Sequence, residues 1–292
     1  VPADLARHAI LTPLVFGPEE LASGVWQQTV EPVDALFIHA HPDDESLDFA
    51  VLMAALGRRG LRIATLLLTD GESGIDRYPS RTVPAGYPAG RLAGETLRTV
   101  RVEETRRALA ILGSDYYLRA GWRNHPYNRR ADELPLDAIM AAWGGEEAVV
   151  TQVAQVIAAL APRLVVAPDG PSEAREHFEH EATGVVVRRA IEMERAAGRG
   201  PGAYLISVDP FQRELYPDAI AIPRAPWGED LRAVQGAALS QHHTQADASV
   251  IGIRRLLDLP FEYYRVVHWG LEESLDELLG VAGGVRSEAT PR

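Results

Sequence analysis

The chain has 292 residues, 46% hydrophobic and 24% charged, a composition that supports a substantial buried core. Its net charge of −12 argues against nucleic acid or an anionic membrane as the main partner. Every basic residue is arginine, which excludes Schiff-base lysine chemistry and a carboxylated-lysine metal bridge, and the absence of cysteine excludes disulfides and thiolate ligation. No apolar run is long enough to span a membrane and the N-terminus lacks a signal-peptide layout, so a cytoplasmic protein is the default expectation.

Taken in chain order, Pro18-Glu19-Glu20-Leu21 suits the start of a short helix. A strand is predicted at about 33–39, a helix at about 45–59 ending at Gly60, and a buried strand at 61–69. Asp70 to Gly94 reads as a long loop, the kind that is usually functional or mobile. A helix follows at about 97–112, stopped by Gly113, then a short strand at 116–119 and a polar loop from Gly121 to Pro135. Val149, Val153, Val156 and Leu160 recur at helical spacing, and a strand at 164–167 ends in Pro168-Asp169-Gly170-Pro171. Next come a helix over about 180–197, a strand near 203–208, helical stretches at about 229–240 and 247–258, and a strand around 262–268. Alternating strand and helix predicts an α/β fold with a mostly parallel sheet covered by helices on both faces. One domain over 1–292 is expected, with a core at about 33–208 and a C-terminal α/β extension at about 209–292.

Chemistry concentrates where the first of these strands ends, at His39-Ala40-His41-Pro42-Asp43-Asp44-Glu45. One acidic residue there would be an ordinary helix cap. Two adjacent carboxylates with a histidine instead suit a divalent metal, at the sheet edge where open α/β folds bind ligands. A second cluster, His177-Phe178-Glu179-His180, follows the strand at 164–167 and reaches the same edge, with its histidines on one helical face. A zincin motif fails because Gly184, not histidine, stands four residues after His180. A barrel amidohydrolase, suggested by His39-x-His41, needs more strand–helix units than the pattern offers. His8, His125 and His268 have no evident partner and read as structural or surface residues, and Tyr263, Tyr264 and Trp269 read as core or interface.

Ala40-His41-Pro42-Asp43-Asp44-Glu45, with a downstream His-x-x-His and Ala182-Thr183-Gly184, resembles the LmbE/PIG-L zinc N-deacetylases over about residues 33–250. That family includes N-acetylglucosaminyl-inositol deacetylases, the conjugate amidase of mycothiol metabolism and deacetylases of antibiotic sugars. Arg101-x-x-Glu104 fits the helix before the family's third strand, and Gln241-His242-His243-Thr244-Gln245 is similar to its C-terminal element. The resemblance implies a Rossmann-like fold and a zinc ion, or ferrous iron, on His41, Asp44 and His180. It implies Asp43 as general base, where spacing alone leaves either aspartate able to be the ligand. Zinc lowers the pKa of bound water toward ~7, and a carboxylate that is not a ligand can then take its proton. His177 would stabilise the oxyanion or protonate the leaving amine. Arg77, Asn124 and His242 would lie at or near the substrate.

Two places depart from the family's pattern. Arg175 stands where the mycothiol deacetylases have a tyrosine, and Phe178-Glu179 replaces the usual Pro-Asp between the histidines. The activity implied is hydrolysis of an N-acyl, most often N-acetyl, group on a small amino-sugar compound. The alternatives are an amidase for a thiol conjugate or natural-product intermediate, and a sugar-binding protein without turnover.

Overall fold

Runs of aliphatic residues form the central strands, which are buried along their whole length, as a sheet covered on both faces requires. These are Ala35–His39 (β2), Ile63–Thr69 (β3) and Leu164–Ala167 (β5). The computed structural model describes residues 12–74, 76, 91–126, 132–168, 177–223, 231–245, 261–268 and 278. Leu14–Phe16 (β1), Tyr116–Trp122 (β4), Ala203–Val208 (β6), Ile220–Pro223 (β7) and Phe261–His268 (β8) complete one sheet in the order β1-β4-β3-β2-β5-β6-β8-β7. Pairing is parallel from β1 through β6, and β8 runs antiparallel to both its neighbours. The expected mostly parallel α/β sheet is therefore present.

The two-residue period of the strands divides the core between the sheet's two faces. Leu36 and Ile38 pack in the layer of Leu136–Ala142 (α5), Glu146–Leu160 (α6) and Phe178–Ala196 (α7). Ala35 and Phe37 pack in the layer of Ala50–Arg58 (α3), Gly94–Leu112 (α4) and Leu231–Leu239 (α8). Strand order reverses at β2, where Ala35 pairs with Ile63 of β3 on one side and Leu164 of β5 on the other. Chains leaving β2 and β5 at their carboxyl ends must diverge there, which opens a crevice between them.

Several elements differ from the sequence reading. Pro18–Ser23 (α1) is helical as expected, but β1 before it and α5 were not anticipated, being too short to show a period. β4 runs on to Trp122, past Gly121 at φ +65°, where a Cβ would strike Pro18. β7 also escaped the reading, and the helical stretch at 247–258 lies outside the described residues. Among the described residues no helix is long and apolar enough to cross a membrane.

The helix expected over about 45–59 is in fact two, Asp44–Asp48 (α2) and α3, broken at Phe49 with φ −128° and ψ −1°. The cause lies in β8. The buried carboxylate of Glu262 accepts hydrogen bonds from the backbone N–H of Val51 (2.7 Å) and Leu52 (3.0 Å), so a distant strand caps α3. Tyr264, fully buried as a core residue, donates its hydroxyl to Asp48 O at 3.1 Å. Replacing Glu262 by Ala should strand both N–H groups and lower stability by about 1–3 kcal/mol, read as a lower urea midpoint at constant slope. An unchanged midpoint would remove this cap from the account of α3.

Candidate metal centre

β2 delivers His39, Ala40 and His41 to the crevice. Thr69, ending β3, holds Ala40 O through its N–H (3.0 Å) and hydroxyl (2.8 Å), and His39 Nδ1 donates to His41 O at 2.8 Å. After Pro42 the chain turns sharply. Asp43 adopts φ +101°, a left-handed conformation that costs a non-glycine residue about 1–3 kcal/mol. It occupies the N-cap position of α2, yet its side chain makes no capping bond. The helix start instead uses Asp43 O, which accepts from Ser46 N and Leu47 N at 3.0 Å each, while Asp44 Oδ2 accepts from His41 N at 2.9 Å. The capping explanation for paired aspartates thus leaves the Asp43 carboxylate for other work.

His180, on the first turn of α7 after β5, faces this corner from across the crevice. Its Nε2 lies 3.0 Å from His41 Nδ1 and 3.3 Å from Asp44 Oδ2, and the third side of the triangle is 3.8 Å. Tetrahedral zinc with bonds of about 2.0–2.2 Å has edges of about 3.3–3.6 Å, so these three donors fit one ion. His177 and Asp48 flank the triangle. His177 groups with His41 and His180, and Asp48 with Asp44 and His180, each set with donor atoms within 4.8 Å of one another.

The profile of the family described as PIG-L, GlcNAc-PI de-N-acetylase, matches residues 36–191, just over half of the chain. The chain belongs to this family. Its curated relatives include 1D-myo-inositol 2-acetamido-2-deoxy-alpha-D-glucopyranoside deacetylases. The Kineococcus radiotolerans protein is 28% identical over 91% of this chain and 82% of its own length. The Catenulispora acidiphila protein of that type, numbered 2, is 27% identical over 65% of this chain, which spans 59% of that relative's length. Two solved structures share the fold. One is GalB, the 4-carboxy-2-hydroxymuconate hydratase of Pseudomonas putida KT2440 (17% identity, TM-score 0.57, 82% of this chain and 98% of that one). The other is the A40926 pseudoaglycone deacetylase Dbv21 (16%, 0.53, 82% and 99%). A hydratase and a deacetylase on one fold mean that activity has to be argued from the site.

Around the PIG-L motif the polar groups are buried and bonded. Glu179 lies between the two histidines of α7 and is fully buried. Its Oε2 accepts from His41 Nε2 at 2.5 Å and from Asn124 Nδ2 at 2.7 Å, and its Oε1 accepts from His125 N and Nδ1 at 3.0 and 3.1 Å. Donation of Nε2–H to Glu179 leaves Nδ1 of His41 as the lone-pair nitrogen turned to Asp44 and His180, the usual support for a metal-binding imidazole. Burial pushes the Glu179 carboxyl up, but the hydrogen bond and electrostatic pull of His41, with the two hydrogen bonds from His125, outweigh it and hold it below its ordinary range. Burial likewise pushes Asp43 up; Arg101 opposes this, Asp44 adds to it, and the net direction is upward, toward a more basic carboxylate.

Arg101 on α4 closes the site from below. It donates from Nη2 to Pro42 O (2.6 Å) and from Nη1 to Gly71 O (3.1 Å), and Nη2 lies 3.6 Å from Asp43 Oδ2. Gly71, at φ +73°, has to be glycine because a Cβ there would collide with this guanidinium. Three residues along α4, Glu104 accepts from Thr244 N (2.9 Å) and Oγ1 (2.5 Å), fastening the turn that carries His242. His242 Nε2 meets Glu45 Oε1 at 2.6 Å. Burial lowers the His242 pKa, but Glu45 more than reverses this, and His242 in turn overcomes the burial that raises Glu45.

The structure therefore gathers His41, Asp43, Asp44, His177 and His180 at one point. It places Asn124 and His242, expected at the substrate, behind that point: Asn124 is spent on Glu179 and on Ser73 N (3.0 Å), and His242 is wholly buried on Glu45. Arg77 and Arg175 lie outside the described residues, as does His8. His125, read as lacking a partner, has one in Glu179. The sequence reading missed Glu179, Glu45 and Asp48 as parts of the site, although Asp44 and Asp48 stand four apart on a helix, which places them on one face.

Glu179→Gln should weaken zinc binding about 10–100-fold, measured by competition with a chelating dye, and unchanged affinity would refute the orienting role. His242 carries a raised pKa, so its contribution to stability is complete below its ordinary value of 6.5 and is lost as pH rises through the folded value. Glu45 carries a lowered one, so its contribution is present above 4.5 and is lost as pH falls through the folded value. The stability gap between wild type and His242→Gln should be widest between pH 4.5 and 6.5 and shrink on the alkaline side, in urea titrations across pH.

Proposed function

We propose that this protein is a divalent-metal hydrolase that removes an N-acyl group, most simply acetyl, from a small amino-sugar compound. The observation that carries the reading is one juxtaposition. His41, Asp44 and His180 present three donors in a triangle sized for one ion, and beside it Asp43 offers a carboxylate that neither caps α2 nor completes the triangle. Hydrolysis needs a base beside the ion, and this carboxylate, paired only at 3.6 Å with Arg101, can serve as one. Membership in a family described by de-N-acetylation, and relatives named as deacetylases of an acetamido-sugar, support the acyl group and the substrate class.

His41, Asp44 and His180 would hold zinc or ferrous iron, which supplies Lewis acidity and an acidified water. Asp43 takes the proton of the attacking water, its carboxylate being spent neither on capping α2 nor on the three donors. His177 has its Nδ1 occupied by Glu179 N–H at 3.3 Å, so the neutral ring carries its proton on Nε2 and acts as a hydrogen-bond donor. Its ring stands edge-on to His41 at 4.5 Å between centroids, within reach of an amide carbonyl or leaving nitrogen held over the triangle. The amide C–N bond breaks as the nitrogen gains a proton, giving a carboxylate and a free amine. Asn124 and His242 support Glu179 and Glu45 in this scheme, leaving substrate recognition to the loops around the crevice.

Replacing Asp43 by Ala should cut kcat for amine release from an N-acetylglucosaminyl-inositol about 10²–10⁴-fold while the metal content of the protein stays the same. Turnover that survives the substitution would overturn the assignment. Chelation should abolish release in the wild type, with recovery on adding zinc or ferrous ion.

A further inference from the structure

The Asp43 backbone is held in its left-handed conformation by bonds on both ends of one peptide unit. The carbonyl of the Pro42–Asp43 peptide accepts from Arg101 Nη2 at 2.6 Å, and its N–H donates to Glu45 Oε2 at 3.1 Å. On the far side, Asp43 O is committed to Ser46 N and Leu47 N. With both neighbouring peptides fixed, φ of Asp43 stays at +101°, and φ sets where the side chain points. Rotation to an ordinary negative φ would swing the carboxylate away from its present direction.

Glu45 suits this task because nothing about it is loose. It is fully buried, and its second oxygen, Oε1, accepts from Ser46 Oγ at 2.7 Å and His242 Nε2 at 2.6 Å. His242 is itself fully buried, and Thr244 two residues on is fastened to Glu104 on α4. We propose that Glu45 is a positioning residue: backed by His242, it clamps the Pro42–Asp43 peptide and so aims the Asp43 carboxylate at the attacking water. The inference rests on the reading of Asp43 as general base, and it gives the segment carrying His242 a part in the reaction without touching substrate.

Two substitutions separate reach from charge. Glu45→Gln keeps the length of the side chain and an oxygen that can accept from Asp43 N–H. Glu45→Asp keeps the charge opposite His242 but withdraws from that N–H. Each is compared with wild type at full zinc loading, with metal content and urea midpoint confirming the fold. Glu45→Asp should lower kcat about 10²-fold with little change in KM, the scale expected of a displaced catalytic group, while Glu45→Gln should retain most of the wild-type kcat. In an Asp43→Ala background, Glu45→Asp should have almost no further effect, because a residue that acts through Asp43 has nothing left to position. An equal loss in both backgrounds, a loss confined to Glu45→Gln, or a change in KM alone would overturn the proposal.

Hydrogen exchange of the Asp43 amide supplies a readout that needs no turnover. It should quicken by about tenfold or more in Glu45→Asp while the amides of α3 are unaffected, and an unchanged rate would overturn the clamp. If wild type releases no amine from any N-acetyl sugar, the functional reading fails, and the exchange result still decides whether Glu45 holds Asp43.

Discussion

Glu179 and His41 come from segments 138 positions apart, and the 2.5 Å bond between them joins the two sides of the crevice. It fixes Nε2 of the His41 ring, while Nδ1 meets His180 at 3.0 Å, so both nitrogens tie the loop after β2 to the first turn of α7. A carboxylate this deeply buried is tolerable only when both oxygens are satisfied, and His41, His125 and Asn124 between them do so. The same requirement explains why Asn124 faces inward. Its amide is needed to complete the shell of Glu179, and that need fixes the loop after β4 against Ser73 and Glu72 as well.

The electrostatics of the centre follow from an excess of buried anions. Asp43, Asp44, Glu45, Glu104 and Glu179 lie close together, with Arg101 as the nearby guanidinium and histidines as the remaining counter-groups. Glu45 and Glu179 each have an imidazole in direct contact and are held ionised. Burial pushes Asp43 up, Arg101 at 3.6 Å only partly opposes this, Asp44 adds to it, and Asp43 is displaced the other way. Neighbouring carboxylates in one fold therefore acquire different chemical characters according to the partner each one meets.

Alternation of apolar strands and helices was readable because the long elements mark themselves, β3 as an almost continuous apolar run and α6 as apolar residues at helical spacing. The motif from His41 to Glu45 was readable because so many ligand types in so short a span have few structural explanations. What the sequence could not convey is contact between distant residues. Glu262 looks like any glutamate on a strand until its carboxylate is found on α3, and the break at Phe49 follows from that contact. Glu179 was visible only as a departure between two histidines. His242 and Asn124 were picked out by the family resemblance alone, and which way a side chain turns depends on the buried group behind it that needs a partner. β1 and β7 have too few residues to announce themselves against their surroundings.

The capping of α3 by β8 also bears on how the centre comes into being. The acceptor for Val51 N is 211 positions further on, so the helix pair carrying Asp44 lacks its cap and its Tyr264 anchor until that distant strand has been laid down. Such non-local closure is slow, since a long loop of chain has to be ordered before the contact stabilises anything. On the ribosome, β2 and β3 would emerge long before β8, with their apolar faces complete and their donor cluster unassembled. The helix pair that carries Asp44 therefore takes its final form only once β8 is in place.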